Sequence, residues 1–102
     1  MRARWSSRSR PDFLSDALTV LGGWTRDGVQ LKRILAIDES QHAALTERIK
    51  VVADALSLRP DIRRLDGHTQ IRVAARAGAI TAGEVTLAAR IEDAYRAVTG
   101  RP

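Results

Sequence analysis

The fold is decided by residues 62–75, IRRLDGHTQIRVAA, in which an Asp-Gly pair separates two runs of strand-forming residues. Asp66-Gly67 is the kind of pair that a two-residue type I′ turn favours, because both of its central residues need positive φ. Along the second run every second residue falls on the same face of a strand. That face consists of Thr69, Ile71, Val73 and Ala75. The stretch therefore predicts an antiparallel hairpin with one buried face.

A second Asp-Gly pair lies upstream and predicts another hairpin. Asp27-Gly28 separates Trp24-Thr25 from the run 29–37. One face of this run is formed by Val29, Leu31, Arg33, Leu35 and Ile37. Because Arg33 interrupts this apolar face, we expect its aliphatic stem to pack on the core and its guanidinium group to reach the edge of the sheet.

Three stretches have the periodicity of amphipathic helices. The first starts at Pro11 and stops at Gly22-Gly23, and the second spans residues 40–58 with Ser40 as its N-cap. The third opens with residues 81–84, Thr-Ala-Gly-Glu, which form a capping box, and Gly100 follows its end. The apolar stripe of the first helix is formed by Phe13, Leu14, Ala17, Leu18 and Leu21. That of the second is formed by Leu45, Ile49, Val52 and Leu56, and that of the third by Leu87, Ala88, Ile91, Tyr95 and Val98.

The element order α-β-β-α-β-β-α predicts an α+β fold, with a four-stranded antiparallel sheet and three helices on one face. We expect residues 11–100 to form a single domain and residues 1–10 to be a disordered basic arm. Aromatic residues make up only 4% of the 102 residues, so the core is thin. Small domains with thin cores gain from self-association, which predicts a homo-oligomer, either a dimer or a tetramer.

Composition excludes several classes of site. The chain has no cysteine, so it has no disulfide, no thiolate zinc site and no cysteine nucleophile, and a cytoplasmic location is expected. No apolar run approaches the roughly 18 residues that cross a bilayer, so no membrane association is predicted. The residues suggest neither a metal site nor a cofactor.

The net charge of +5 is unevenly distributed. The first ten residues contain four arginines and no acid, whereas the rest contains thirteen basic and twelve acidic side chains. The arm, which includes Trp5, is a candidate for stacking on bases or contacting phosphates. The nearly neutral body favours other classes of partner over nucleic acid.

Five segments in this order resemble the pterin-4a-carbinolamine dehydratase (4a-hydroxytetrahydrobiopterin dehydratase) family, over about residues 14–98. The resemblance lies in Gly23-Trp24, the alternating run 31–37, Val51-Val52-Ala53-Asp54, Arg59-Pro60-Asp61 and the opening of the last helix at 79–88. It implies the same fold and a lyase that removes the 4a-hydroxyl of a hydroxylated tetrahydropterin without a cofactor. The family moves the protons with three histidines and nearby carboxylates, which suits histidine because its pKa lies near neutrality.

The resemblance also predicts a degenerate active site. The positions of the family pocket correspond to Asp54, Leu58, Arg59, Pro60, Asp61 and Arg76 (or Ala75, if the following turn is shorter). Leu58 and Arg59 replace two adjacent histidines, and Arg76 replaces the third. Leucine has no exchangeable proton, and arginine stays protonated, so neither can act as a base. The two remaining histidines, His42 and His68, are expected to be solvated bystanders.

The arginines around the second hairpin have two interpretations. Arg59, Arg72 and Arg76 are candidates for an anion-binding site in the former pterin pocket. Alternatively, they belong to a solvated face and are paired with acids, the candidates being Asp54, Asp61, Asp66 and Glu84. A run of charged residues is usually a solvated face of this kind.

Three functions follow as hypotheses. The first is a degenerate dehydratase-like protein that acts as an oligomeric module for protein binding or assembly. The second is an active dehydratase in which Asp54 and Asp61 carry the protons. The third is a nucleic-acid-binding protein that uses the basic arm. The missing histidines argue against the second, and the nearly neutral body argues against the third.

Overall fold

The structure, a computed structural model, describes residues 22–100 and confirms the predicted α+β architecture. All neighbouring strands are antiparallel, in the order β1-β2-β4-β3. The predicted first helix and basic arm lie outside the described residues. The elements are β1 (Thr25–Asp27), β2 (Gln30–Leu35), α1 (Glu39–Ala55), β3 (Asp61–Leu65), β4 (His68–Ala74) and α2 (Ala82–Thr99).

The second hairpin turns where the sequence predicts. Leu65 pairs with His68, which leaves Asp66 and Gly67 as the two loop residues. Both have positive φ, 48° at Asp66 and 77° at Gly67. These values match the type I′ turn, whose central residues are both left-handed.

The first hairpin turns one residue later than predicted. Asp27 pairs with Gln30, so the loop is Gly28-Val29 rather than Asp27-Gly28. Gly28 has a φ of 65°, whereas Val29 does not have a positive φ. This is the pattern of a type II′ turn, which takes glycine at its first central position. Val29 consequently leaves the predicted buried face and is 52% exposed at the turn.

The core lies between one face of the sheet and the two helices. The strands contribute Leu31, Leu35, Thr69, Ile71 and Val73, and the helices contribute Leu45, Ile49, Leu87 and Ile91, all of which are almost completely buried. The alternation predicted for β2 and β4 is therefore confirmed for these positions. In the part of the chain described, neither helix is long and apolar enough to span a membrane.

The two helices begin with capping boxes. The predicted box of α2 is confirmed, since the backbone N–H and the hydroxyl of Thr81 both donate to Oε1 of Glu84, at 2.6 and 2.7 Å. The N-cap predicted for α1 is wrong, because Asp38 takes this role in place of Ser40. The backbone N–H of Gln41 donates to Oδ1 of Asp38 at 2.7 Å, and the Asp38 N–H donates to the Gln41 side chain at 3.0 Å. Asp38 thus satisfies an exposed amide of the first turn.

Candidate functional site

A pocket of about 400 Å³ lies between α1 and the edge strand β3. The C-terminal half of α1 forms one wall, and the start of β3 forms the other. The connection between them closes the end of the pocket. Five of the six family-pocket positions line it, namely Asp54, Leu58, Arg59, Pro60 and Asp61.

The end of α1 places Leu58 in this pocket. The backbone N–H of Ser57 donates to the carbonyl of Asp54 at 3.1 Å, and that of Leu58 donates to the carbonyl of Ala53 at 2.9 Å. Ser57 has a φ of 56°, so the chain reverses through a left-handed residue. These features define a Schellman motif, in which the residue after the left-handed one packs back onto the last turn of the helix. Helix α1 therefore ends at Ala55 rather than at residue 58, and Leu58 is only 8% exposed.

The polar lining of the pocket carries balanced charge. Lys50 and Arg59 contribute two cations, and Asp54 and Asp61 contribute two carboxylates. Asp61 accepts a hydrogen bond from Nε of Arg63 at 2.9 Å. The apolar lining includes Ile49, Ala53 and Ile62. A neutral or zwitterionic ligand suits this lining better than a simple anion does.

Arg76 does not line the pocket, contrary to the expectation that it meets Arg59 there. It follows the end of β4 and is exposed, and its backbone lies against the carboxylate of Glu84 at the start of α2. Arg72 lies in β4 opposite Asp61, and its side chain is on the sheet face that points away from the core. The proposed cluster of Arg59, Arg72 and Arg76 is therefore not assembled in the described part of the chain.

Neither histidine of the chain lines the pocket. His68 is exposed at the second hairpin. His42 is half-buried rather than fully solvated, and its Nδ1 lies 2.9 Å from Oγ1 of Thr69. The same hydroxyl accepts a hydrogen bond from Arg64 at 3.1 Å. His42 therefore joins α1 to β4, and no histidine is available in the pocket as a proton carrier.

A second polar cluster, which the sequence did not predict, lies on the core side of β2. Glu92 is 8% exposed and accepts hydrogen bonds from Nε1 of Trp24 at 2.9 Å and from Nε of Arg33 at 3.0 Å. The guanidinium carbon of Arg33 also lies 5.6 Å from the ring centre of Tyr95. Glu92 lies four residues after Ala88 and three before Tyr95, and this helical spacing is the sequence signal that places it on the inner stripe of α2. Arg33 therefore turns to a buried carboxylate and not to the edge of the sheet.

Comparison with solved structures supports the fold. The crystal structure of a transcriptional coactivator/pterin dehydratase from Brucella melitensis matches this chain with a TM-score of 0.74 and 16% sequence identity. The match covers 80% of this chain and 92% of that chain. No family model matches the sequence, and no curated protein matches it. At this identity the likeness shows a pterin-dehydratase-like fold alone.

Proposed function

We propose that this chain is a pterin-dehydratase-like protein that lacks the dehydration chemistry and acts as an oligomeric module for protein binding or assembly. The observation that carries the proposal is the lining of the pocket between α1 and β3. At the place where the family resemblance puts two adjacent histidines, Leu58 is buried as part of a helix terminus and Arg59 supplies a permanent cation.

The absence of histidine from the pocket removes the usual proton carriers. Dehydration of a carbinolamine needs a proton delivered to the leaving hydroxyl and another taken from a ring nitrogen. General acid–base groups typically contribute about 10²–10⁴-fold each. A pocket without histidine is expected to bind a flat ligand without accelerating its dehydration.

An active dehydratase is the second candidate, because Asp54 and Asp61 line the same pocket. Two carboxylates within one site can divide the roles of acid and base when their environments differ. Both residues are exposed to solvent, however, and Asp61 is also bound by Arg63. The Brucella protein is named both as a coactivator and as a dehydratase, so both candidates start from the same fold.

A stopped-flow assay with a 4a-hydroxylated tetrahydropterin distinguishes the two candidates. We expect the full chain to give the spontaneous rate of dehydration. The matched variants are Asp54→Asn and Asp61→Asn, with Glu47→Gln as a control on the exposed surface of α1. Turnover well above the spontaneous rate, abolished by Asp54→Asn or Asp61→Asn and kept in Glu47→Gln, would establish the enzyme instead.

A further inference from the structure

The sheet has an open face on the side opposite the two helices. Among residues 22–100, no element covers this face, and its two large aliphatic side chains, Ile34 and Leu65, are each 49% exposed. They line a shallow depression of about 340 Å³ together with His68 and Gln70. A single exposed aliphatic residue is ordinary, but two that share one depression form an apolar anchor point.

Two cations that have no ion-pair partner among the described residues lie next to this depression, and one of them, Arg72, donates hydrogen bonds to the side-chain amide of Gln70. Lys32 on β2 and Arg72 on β4 are directly opposite each other, one row from the pair of Ile34 and Gln70. Like charges directly opposite in a sheet destabilise it. Within the described part of the chain, neither cation forms an ion pair, and the carboxylate nearest along the row, Asp61, is bound by Arg63. An anion bound from outside would relieve this repulsion.

The composition of the face indicates the kind of partner. Single-stranded nucleic acid is bound largely by stacking of its bases on aromatic side chains, and the described side chains of this face include no phenylalanine, tyrosine or tryptophan. A second copy of the same face would bring four cations together, which disfavours symmetric face-to-face pairing. The combination of an aliphatic depression with two adjacent cations instead complements a segment that carries both carboxylates and an apolar side chain.

We propose that the outer face of the sheet binds an acidic segment of a partner protein, with its carboxylates on Lys32 and Arg72 and an apolar side chain between Ile34 and Leu65. This deepens the proposed role as a protein-binding module by naming a surface and the chemistry of its partner. The surface is separate from the pocket between α1 and β3, so the two proposals can fail independently.

The test uses the full chain and a capped peptide of alternating aspartate and leucine as the probe. A lysine–leucine peptide of the same length and a single-stranded oligodeoxythymidine are the comparison ligands. We expect the acidic peptide to shift the backbone amide resonances of β2 and β4 around Lys32, Ile34 and Arg72. Its affinity should fall with increasing salt, as expected for a charge-assisted contact.

Charge reversal at Lys32 gives a decisive variant, because its effects on binding and on folding have opposite signs. Lys32→Glu places a carboxylate opposite Arg72, so the melting midpoint should rise. The same change should weaken peptide binding by at least about tenfold, since it reverses one of the two cations. Arg90→Glu, on the exposed surface of α2, is the matched control and should leave binding within about twofold. A loss of binding in Lys32→Glu then cannot come from unfolding.

Several results would overturn the inference. The lysine peptide binding as well as the acidic one would exclude charge recognition. Stronger shifts of the same amides by the oligonucleotide would make the face a nucleic-acid surface. Resonance shifts confined to residues 46–62 would show that the peptide binds in the pocket between α1 and β3. The absence of any resonance shift at millimolar peptide would refute the proposal. Dehydratase activity would leave this inference intact and would refute only the proposed lack of chemistry.

Discussion

Glu92 is the residue whose environment departs most from that of an ordinary helix position. Its carboxylate is buried and receives hydrogen bonds from Trp24, which precedes β1, and from Arg33 in β2. A β-carbon at Gly23 would lie 2.3 Å from a nitrogen of the Arg33 guanidinium, so the chain before β1 passes directly over this ion pair. The cluster therefore joins α2, β2 and the segment that enters β1.

Replacement of Glu92 by alanine is predicted to destabilise the protein by about 3 kcal/mol, because it leaves the Arg33 cation buried without a partner. The side chains of Arg33 and Glu92 are only 18% and 10% exposed, so water does not substitute for the lost carboxylate. The free energy of unfolding in urea measures the effect.

The control is Glu47→Ala, which removes a carboxylate that is 77% exposed. Its cost should stay below about 0.5 kcal/mol. The double variant Arg33→Met, Glu92→Leu should be less destabilised than Glu92→Ala, since it removes both charges together. Equal costs for Glu92→Ala and Glu47→Ala would contradict the role of the cluster.

Glu84 predicts a pH dependence of stability at the start of α2. Burial by itself raises the pKa of Glu84, but hydrogen bonds from the side chain and backbone of Thr81 and from nearby backbone groups outweigh it. The pKa therefore lies below its ordinary value of 4.5. A carboxyl group with a lowered folded-state pKa stabilises the protein fully above its ordinary value. That stability is lost as the pH falls through the lower folded value.

We therefore expect wild type to exceed Glu84→Gln in stability by about 1 kcal/mol at pH 7, because the glutamine keeps the capping box without the charge. The difference should close as the pH falls below 4.5 and through the lowered pKa of Glu84, where the carboxyl group becomes neutral. Urea unfolding across this range measures it. A difference that stays unchanged at every pH down to acid unfolding would show that the ionised carboxylate is not the stabilising species.

At the level of elements, the two β-hairpins use different turns although their sequences share the same Asp-Gly pair. The loop of β3–β4 is Asp66-Gly67, and the loop of β1–β2 is Gly28-Val29. Leu31 faces Val73, and Leu35 faces Thr69, in the pairing of β2 with β4. The burial of these side chains sets the register of β2 against β4. The turn between β1 and β2 therefore adopts the geometry that this register requires.

Gly67→Ala is predicted to destabilise the second hairpin by about 1 kcal/mol, because a β-carbon is disfavoured at positive φ. No atom lies within 4 Å of that β-carbon, so the cost comes from the backbone alone. Gly83→Ala in the first turn of α2 should have the opposite sign and stabilise by about 0.5 kcal/mol. Thermal unfolding of the two variants measures both changes in stability. Changes of the same sign in the two variants would contradict the assigned backbone conformations.

The whole molecule has two sheet edges among the described strands, β1 and β3. Strand β1 is three residues long, and β3 is five residues long, so β3 offers the longer row of unpaired backbone groups. Edges of this kind are templates for pairing with another chain. Together with the thin core, they favour the homo-oligomer expected from the sequence.

Sedimentation velocity at tens of micromolar is therefore predicted to show a dimer or a larger species. Val51→Asp is the informative variant, since Val51 is the most exposed large aliphatic residue of α1, at 70%. Association through a sheet edge should survive this change, whereas association through the helices should not. A monomer as the sole species at all concentrations would refute self-association.

The sequence by itself determined the features that depend on neighbours along the chain. The Asp66-Gly67 turn, the Thr81–Glu84 capping box and the glycine that ends α2 follow from local conformational preference. The gathering of Asp54, Leu58 and Asp61 around one pocket is also close to local, because these residues flank a single short connection between α1 and β3. Such features need no knowledge of distant contacts.

Only the tertiary structure decided the features that join distant segments. The burial of Glu92 against Arg33 joins residues 59 positions apart, and the contact of His42 with Thr69 joins residues 27 positions apart. The separation of Arg76 from Arg59 depends on where β4 leaves the sheet, and the first turn depends on the pairing of β2 with β4. Local propensity cannot specify these arrangements, because the free energy that selects them comes from packing and charge pairing across the core.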